Sequence, residues 1–245
     1  MFKAVDRARL DEDGFAFSGG AALREHYGIS DDEWAAFLVN WDDLGPDDYL
    51  GTDYMFRLRR FGRLDFCPAD GTLRPLEDST FLQSKDLNRH AGGVVRSFEP
   101  IDASVLTSRP LGAVLRGAFE AFDVPAEFRE RTWRIDVNFF RIRTEGPNSY
   151  SPTPEGIHRD GYPFGVISVV GRRNIQGGIS HVYSLDEEFV AARLLGEESL
   201  DSLFAYDTRV KHYTTPVYSC DGREGHRDLL GFVYYLPGSH LDREH

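Results

Sequence analysis

Cysteine is scarce in this sequence, which limits what sulfur chemistry can contribute. Cys67 and Cys220 are the only two among 245 residues, and they form no CxxC pair. The sequence therefore excludes a disulfide framework, and a reducing compartment is expected. The first ten residues also lack the apolar run of a signal peptide, so the predicted location is the cytoplasm.

Long apolar runs and an excess of positive charge are missing as well. No segment approaches the roughly 20 apolar residues that span a bilayer. Lys and Arg number 28 against 40 Asp and Glu, which gives a net charge of −12. Such a surface repels phosphate groups, so we expect the protein to bind neither nucleic acid nor membranes.

The sequence does contain a helical first third followed by closely spaced strands. Ser30 to Glu33 has the pattern of a capping box, and apolar residues at helical spacing follow it. A second helix is predicted from Leu111 to Phe122, and residues 53–64 alternate like a strand that buries Leu58. Further strands are predicted at 133–143, 164–170, 179–183, 209–218 and 229–236. Short strands separated by turn signals indicate a sandwich or barrel.

Two histidines and an aspartate suggest a metal site. His158 and Asp160 form an HxD motif, and residues i and i+2 of a strand point to the same face. Such a triplet is common by chance, so it needs a third ligand. His212, on a later predicted strand, would complete the facial triad of non-haem iron(II) oxygenases. That geometry leaves three coordination positions open for a bidentate cosubstrate and dioxygen.

An arginine follows the second histidine at a suitable distance. Arg227 stands fifteen residues after His212 and opens the apolar run Leu229 to Leu236. A charge that enters an apolar strand needs a partner. We expect it on the antiparallel strand next to that of His212, with its guanidinium fork bound to a carboxylate. Arg223, within a polar turn, is the alternative. The arrangement suits 2-oxoglutarate, which would chelate iron at one end and meet the arginine at the other.

The order HxD, distal histidine and arginine resembles the Fe(II)/2-oxoglutarate dioxygenase superfamily. Three segments resemble more narrowly a bacterial branch that hydroxylates free L-amino acids, isoleucine 4-hydroxylase among them. They are PEGIHRDG at 154–161, NIQGG at 174–178 and GHRDLL at 225–230. The similarity covers roughly residues 80–236.

The resemblance implies a fold that is mainly β with flanking helices. A double-stranded β-helix, or jelly roll, would occupy residues 131–240. The helical or mixed residues 1–130 would buttress it, within a single domain.

The resemblance also implies cofactors and residue roles. His158, Asp160 and His212 would bind Fe(II) and Arg227 would bind 2-oxoglutarate, with O2 as the oxidant and succinate and CO2 as products. Halogenating relatives lack the carboxylate, so Asp160 favours hydroxylation. Leu229 stands where other branches carry a serine or threonine, which leaves the remaining contacts of the cosubstrate open.

Six residues are candidates for binding the substrate. Strand alternation places Arg141 and Arg143 on one face and Asn138 on the other, and one of these faces the predicted pocket. Tyr162, directly after the HxDG motif, is a candidate wall of the pocket, and Asp207 is placed to orient His212 or to bind a substrate amine. The full set is Gln83, Asn138, Arg141, Arg143, Tyr162 and Asp207.

These observations predict a small-molecule partner, most specifically a free amino acid. The helical N-terminal third is a candidate surface for a homodimer. Two alternatives stay open at this point. One is a cupin-like metalloenzyme that does not use 2-oxoglutarate, and the other is a non-catalytic jelly-roll binding module.

Overall fold

The structure, a computed structural model, describes residues 4–47, 49, 56–78, 80–82 and 92–244. Gln83 lies outside these ranges. The helices are α1 (Arg7–Asp13), α2 (Gly20–His26), α3 (Asp31–Leu38), α4 (Ala103–Leu106) and α5 (Arg109–Phe119), with 3-10 turns at Val39–Trp41 and Ala126–Phe128. None of the helices in the described ranges is long and apolar enough to cross a membrane.

The strands are more numerous than the helices. They are β1 (Phe15–Ser18), β2 (Gly45–Pro46), β3 (Arg57–Cys67), β4 (Thr72–Leu76), β5 (Thr80–Phe81), β6 (Arg96–Ser97), β7 (Trp133–Thr144), β8 (Ser149–Tyr150), β9 (Phe164–Arg173), β10 (Ile175–Gly177), β11 (Ile179–Tyr183), β12 (Phe189–Leu194), β13 (Asp201–Ala205), β14 (Lys211–Thr214), β15 (Val217–Ser219) and β16 (Gly225–Tyr235).

Both predicted helices are confirmed. The Ser30 hydroxyl accepts from the backbone N–H of Glu33, and the Glu33 carboxylate accepts from the backbone N–H of Ser30. This capping box satisfies two backbone donors at the start of α3. In α5, Pro110 occupies the first turn, and Leu111 and Leu115 are fully buried.

A large antiparallel sheet forms one layer of the fold. Its strand order is β1-β13-β9-β16-β7-β3-β2, and β4 pairs with β3. The strand β16 lies between β7 and β9, so Arg227 stands opposite Ile142 on one side and Arg172 on the other. A second layer contains the short sheets β12-β11-β14 and β10-β15-β8. The architecture is the predicted mainly β one, and it is consistent with a jelly roll.

Two predicted boundaries need correction. The predicted strand 209–218 is two strands, β14 and β15, because Pro216 lacks the N–H that a ladder requires. The division at residue 131 does not delimit the β core, since β1 and β3 from the first half of the chain belong to the large sheet. Strand pairing connects distant segments, which local composition does not reveal.

The large sheet is covered on both faces. Trp41 stacks on Phe139 at 4.2 Å between ring centroids, and its indole N–H donates to the carbonyls of Phe140 and Leu229. Helices therefore cover one face, and the main hydrophobic core lies between them and the sheet. The other face of the sheet lines a cavity that the second layer closes.

Candidate metal centre and cofactor cavity

His158 and His212 face each other across a single antiparallel bridge. The His158 N–H donates to the His212 carbonyl at 3.1 Å, and the His212 N–H donates to the His158 carbonyl at 2.9 Å. This corrects the predicted geometry, because the HxD motif lies in an irregular segment rather than in a strand. The bridge itself brings the two imidazole centroids to 4.3 Å.

Asp207 fixes the turn that carries Asp160. Its carboxylate accepts from the backbone N–H groups of Asp160 at 3.0 Å, Gly161 at 2.7 Å and Tyr162 at 3.3 Å. Gly161 has a φ of 83°, a conformation that glycine adopts without strain. The predicted role of Asp207 is therefore revised: its oxygens hold the Asp160 turn and do not contact His212.

The three side chains present a set of donors that suits iron(II). Their ligand atoms all lie within 4.8 Å of one another. Asp160 Oδ1 is 3.7 Å from His158 Nε2, and Asp160 Oδ2 is 3.8 Å from His212 Nε2. His158 Nδ1 lies 2.9 Å from the carbonyl of Gly156, which can only accept, so Nδ1 carries a proton and Nε2 is the ring nitrogen that faces Asp160. Two imidazoles and one carboxylate fit a facial triad.

Burial keeps His212 in the form that binds metal. Burial and the neighbouring charge of His158 lower the pKa of His212, and Asp160 raises it, with a net result of about 4. The ring is therefore neutral near pH 7. A neutral imidazole is the ligand form of histidine.

Arg227 lies in the same cavity, and no carboxylate of the described residues pairs with it. It is fully buried, and none of its three side-chain nitrogens has a hydrogen-bond partner in the described part of the chain. Burial and, to a smaller extent, the neighbouring charge of Arg172 together lower its pKa to about 9. Because a buried charge is stable only when it is paired, this guanidinium indicates an anionic ligand. The carboxylate of 2-oxoglutarate fits that requirement.

The strand position of Arg227 differs from the prediction. Its strand β16 pairs with β7 and β9, whereas the strand of His212, β14, pairs with β11. The arginine therefore reaches the cavity from the opposite layer. The alternative, Arg223, is excluded because it is an exposed side chain paired with Asp221.

Gly178, the last residue of the NIQGG motif, leaves room for this arginine. An added Cβ would lie 3.1 Å from Arg227 Cδ and 2.8 Å from a methyl group of Val217. The residue also has a φ of 68°, which disfavours other side chains. Glycine at the end of the NIQGG motif is therefore explained by steric constraints within the site.

The predicted substrate residues divide into two groups. Asn138, Tyr162 and Asp207 line the cavity. Arg141 instead donates from Nε and Nη2 to the two carboxylate oxygens of Asp228, each at 2.7 Å, and Arg143 is half exposed near Glu224. Neither arginine lines the cavity, so these two predictions are not supported.

Four charged residues of the cavity wall were not predicted from the sequence: Arg57, Arg59, Arg96 and Glu155. Glu155 Oε1 lies 3.5 Å from His158 Nε2. Arg59 is 3% exposed, and it lies on the face of β3 opposite to Leu58. The sequence predicted that only the face of this strand that carries Leu58 is buried. The segment RLRR at 57–60 could have indicated a second buried face, since alternate arginines in a strand between aromatic residues need partners.

We predict that Asp207→Asn weakens metal binding. The amide retains one oxygen for three backbone donors and turns an NH2 group towards the others, so the Asp160 turn should shift. Loss of such a supporting contact lowers metal affinity by about 10- to 100-fold. Calorimetric titration of the apoprotein with Fe(II) under nitrogen measures this change. Asp186→Asn, at an exposed turn, is the control, and equal affinities of the two variants would contradict the assigned role of Asp207.

Comparison with solved structures finds the same fold. A bsmA homolog from Methylobium petroleophilum PM1 is 29% identical with a TM-score of 0.82, and the match covers 93% of this chain and 90% of that one. IDO from Bacillus thuringiensis is 18% identical with a TM-score of 0.76 over 93% and 96% of the two chains. TqaL, an Fe(II)/α-ketoglutarate-dependent dioxygenase, is 18% identical with a TM-score of 0.71 over 98% and 88%.

A search of curated protein sequences gave no match. The profile of the 2OG-Fe dioxygenase family, however, matches residues 39–233, which is most of the chain. That span contains the His158–Asp160–His212 cluster and Arg227. The family implies Fe(II), 2-oxoglutarate and O2 as cofactors, and the cupin-like reading is set aside. This chain belongs to the 2OG-Fe dioxygenase family.

Proposed function

We propose that this enzyme hydroxylates an unactivated C–H bond of a small polar substrate, a free L-amino acid, with release of succinate and CO2. In this proposal His158, Asp160 and His212 bind the iron. Arg227 binds the distal carboxylate of 2-oxoglutarate.

The observation that carries the proposal is the unpartnered guanidinium of Arg227. It lines the same cavity as the three metal-binding side chains, and it approaches from the opposite layer. A dianion bound between them would satisfy both the arginine and the metal. A non-catalytic binding module would have no need for this pair of sites.

Charges of both signs in the cavity support an amino acid as the substrate. Arg59 and Arg96 offer positive charge to a carboxylate, while Glu155 offers negative charge to an ammonium group. The cavity volume is about 170 Å³, below the range of roughly 300–1000 Å³ that is typical of drug-sized ligands. A small zwitterion fits these conditions. The resemblance of the PEGIHRDG segment to hydroxylases of free L-amino acids also supports this substrate class.

The protein residues would position the reactants and exclude water. The backbone bridge between His158 and His212 fixes their rings, and Asp207 fixes Asp160. Arg227 would orient the cosubstrate through its fork. Fe(II) with 2-oxoglutarate and dioxygen supplies the oxidising power for C–H hydroxylation.

Succinate release tests the proposal. Protein reconstituted with Fe(II) under nitrogen is mixed with 2-oxoglutarate, air and pooled proteinogenic L-amino acids. We expect succinate formation that depends on the pool and is absent in His158→Ala. The pool of D-enantiomers is the matched control, because an asymmetric charged cavity should discriminate between them.

The other outcomes are also informative. If no amino acid stimulates succinate release while 2-oxoglutarate still binds, the free amino acid is the wrong substrate. If 2-oxoglutarate does not bind, the roles given to Arg227 and the metal-binding residues are wrong.

A further inference from the structure

Arg59 is held rigidly in the cavity wall. Its guanidinium carbon lies 3.7 Å from the ring centroid of Phe98 and 4.9 Å from those of Phe81 and Phe140. Its Nε and Nη2 both donate to Oδ1 of Asn138, at 3.0 and 2.6 Å. Aromatic rings and an amide therefore fix the orientation of the fork.

The charge of Arg59 is not neutralised by these partners. Asn138 is neutral, and among the described residues the carboxylate paired with Arg59 is that of Asp47, whose Oδ2 lies 3.9 Å from Nη1 of Arg59. That oxygen already accepts from Arg57, at 2.8 Å to Nε and 2.7 Å to Nη2. Two arginines thus share one buried carboxylate, so Asp47 cannot neutralise both of them.

Burial and neighbouring charges both act against the cation. Burial and the charges of Arg57 and Arg96 lower the pKa of Arg59, and Asp47 raises it, with a net result of about 9. Nη1 makes no hydrogen bond within the described part of the chain. An anion bound here would use these free donors and offset the cost of desolvation.

We propose that Arg59, oriented by Asn138, binds the carboxylate of the substrate, so that substrates are small carboxylates with an apolar body. The apolar part follows from the remaining wall, which includes Leu203, Leu229 and Val233. The inference rests on the proposed function, since it takes Arg227 to be occupied by 2-oxoglutarate.

Thermal unfolding of the anaerobic enzyme with Fe(II) and saturating 2-oxoglutarate tests this inference. Three pools serve as probes: apolar L-amino acids, their N-acetyl derivatives and their α-carboxamides. We expect the free amino acids to raise the Tm of the wild type and the carboxamides to leave it unchanged. In Arg59→Met the apparent affinity for the free amino acids should fall roughly 100-fold, as expected for a lost charge-assisted contact.

Two further variants separate binding from folding. Asn138→Asp places a carboxylate against Arg59 without a change of shape, so it should weaken substrate binding while the protein stays folded. Arg60→Met removes the next arginine of β3, which pairs with Asp43 outside the cavity, and should bind the probes like the wild type. The Tm shift caused by 2-oxoglutarate alone should persist in all three variants. If Arg59→Met does not fold, Asn138→Asp decides the question.

The outcomes distinguish this inference from the proposed function. Equal Tm shifts with carboxamides, or wild-type affinity in both Arg59→Met and Asn138→Asp, would overturn the role of Arg59. The role of Arg59 would also be overturned if neither the free amino acids nor their N-acetyl derivatives shifted the Tm. Binding of the N-acetyl pool alone would retain Arg59 and refute the free amino acid. A wild type that does not bind 2-oxoglutarate would refute the proposed function itself.

Discussion

His212→Ala should abolish iron binding and turnover while the protein stays folded. His212 supplies one of three donors, and the backbone bridge to His158 does not depend on its imidazole. Removal of the ring leaves two protein ligands, which is too few for a stable facial site. Fe(II) titration by calorimetry, together with succinate release, measures the loss, and circular dichroism reports on the fold.

His181→Ala is the matched control for that variant. His181 lies on β11, opposite Tyr213 of the strand that carries His212, and its ring contacts Tyr183 outside the metal cluster. It should keep iron binding and turnover. Retention of iron by His212→Ala would mean that the assigned triad is wrong. Asp160→Gly extends the same test, because removal of the carboxylate should end hydroxylation.

Arg227→Met should weaken 2-oxoglutarate binding by about 2–5 kcal/mol, the range for truncating a buried hydrogen-bonded charge pair. The effect should appear mainly in the apparent KM for 2-oxoglutarate. Without the cosubstrate, the variant should be at least as stable as the wild type, because it removes an unpartnered buried charge. Thermal unfolding with and without 2-oxoglutarate checks both parts.

Arg223→Met is the control for Arg227→Met. The side chain of Arg223 is exposed and pairs with Asp221 in the turn before β16. Its replacement should leave the KM for 2-oxoglutarate unchanged. If the KM for 2-oxoglutarate rose in Arg223→Met and not in Arg227→Met, the cosubstrate would bind near Arg223 and the assigned role of Arg227 would be wrong.

The metal cluster was accessible to sequence reasoning because its signal is local. His158 and Asp160 are two residues apart, and His212 stands in an alternating segment. Even so, the reason for their convergence was different from the predicted one. A backbone bridge and the carboxylate of Asp207 position the ligands, and both depend on contacts between residues about 50 positions apart.

Arg59 was not predicted because strand alternation identifies a buried face only when the other face meets water. In β3 both faces are covered, by helices on the side of Leu58 and by the cavity on the side of Arg59. The sequence singled out Arg227 as a candidate ligand of the cosubstrate, but it did not predict which β layer carries this residue. Proximity in sequence to His212 suggested a hairpin, whereas β15 and a turn separate their strands.

The position of Arg227 and the metal-binding residues on opposite layers has a consequence for cosubstrate choice. Packed β layers are separated by about 10 Å, and side chains from both sides share that gap. The length of a dicarboxylate that reaches both the metal and the guanidinium is therefore set by the spacing of the layers. A 2-oxo acid one methylene shorter or longer would lose one of its two attachments, although its functional groups are the same.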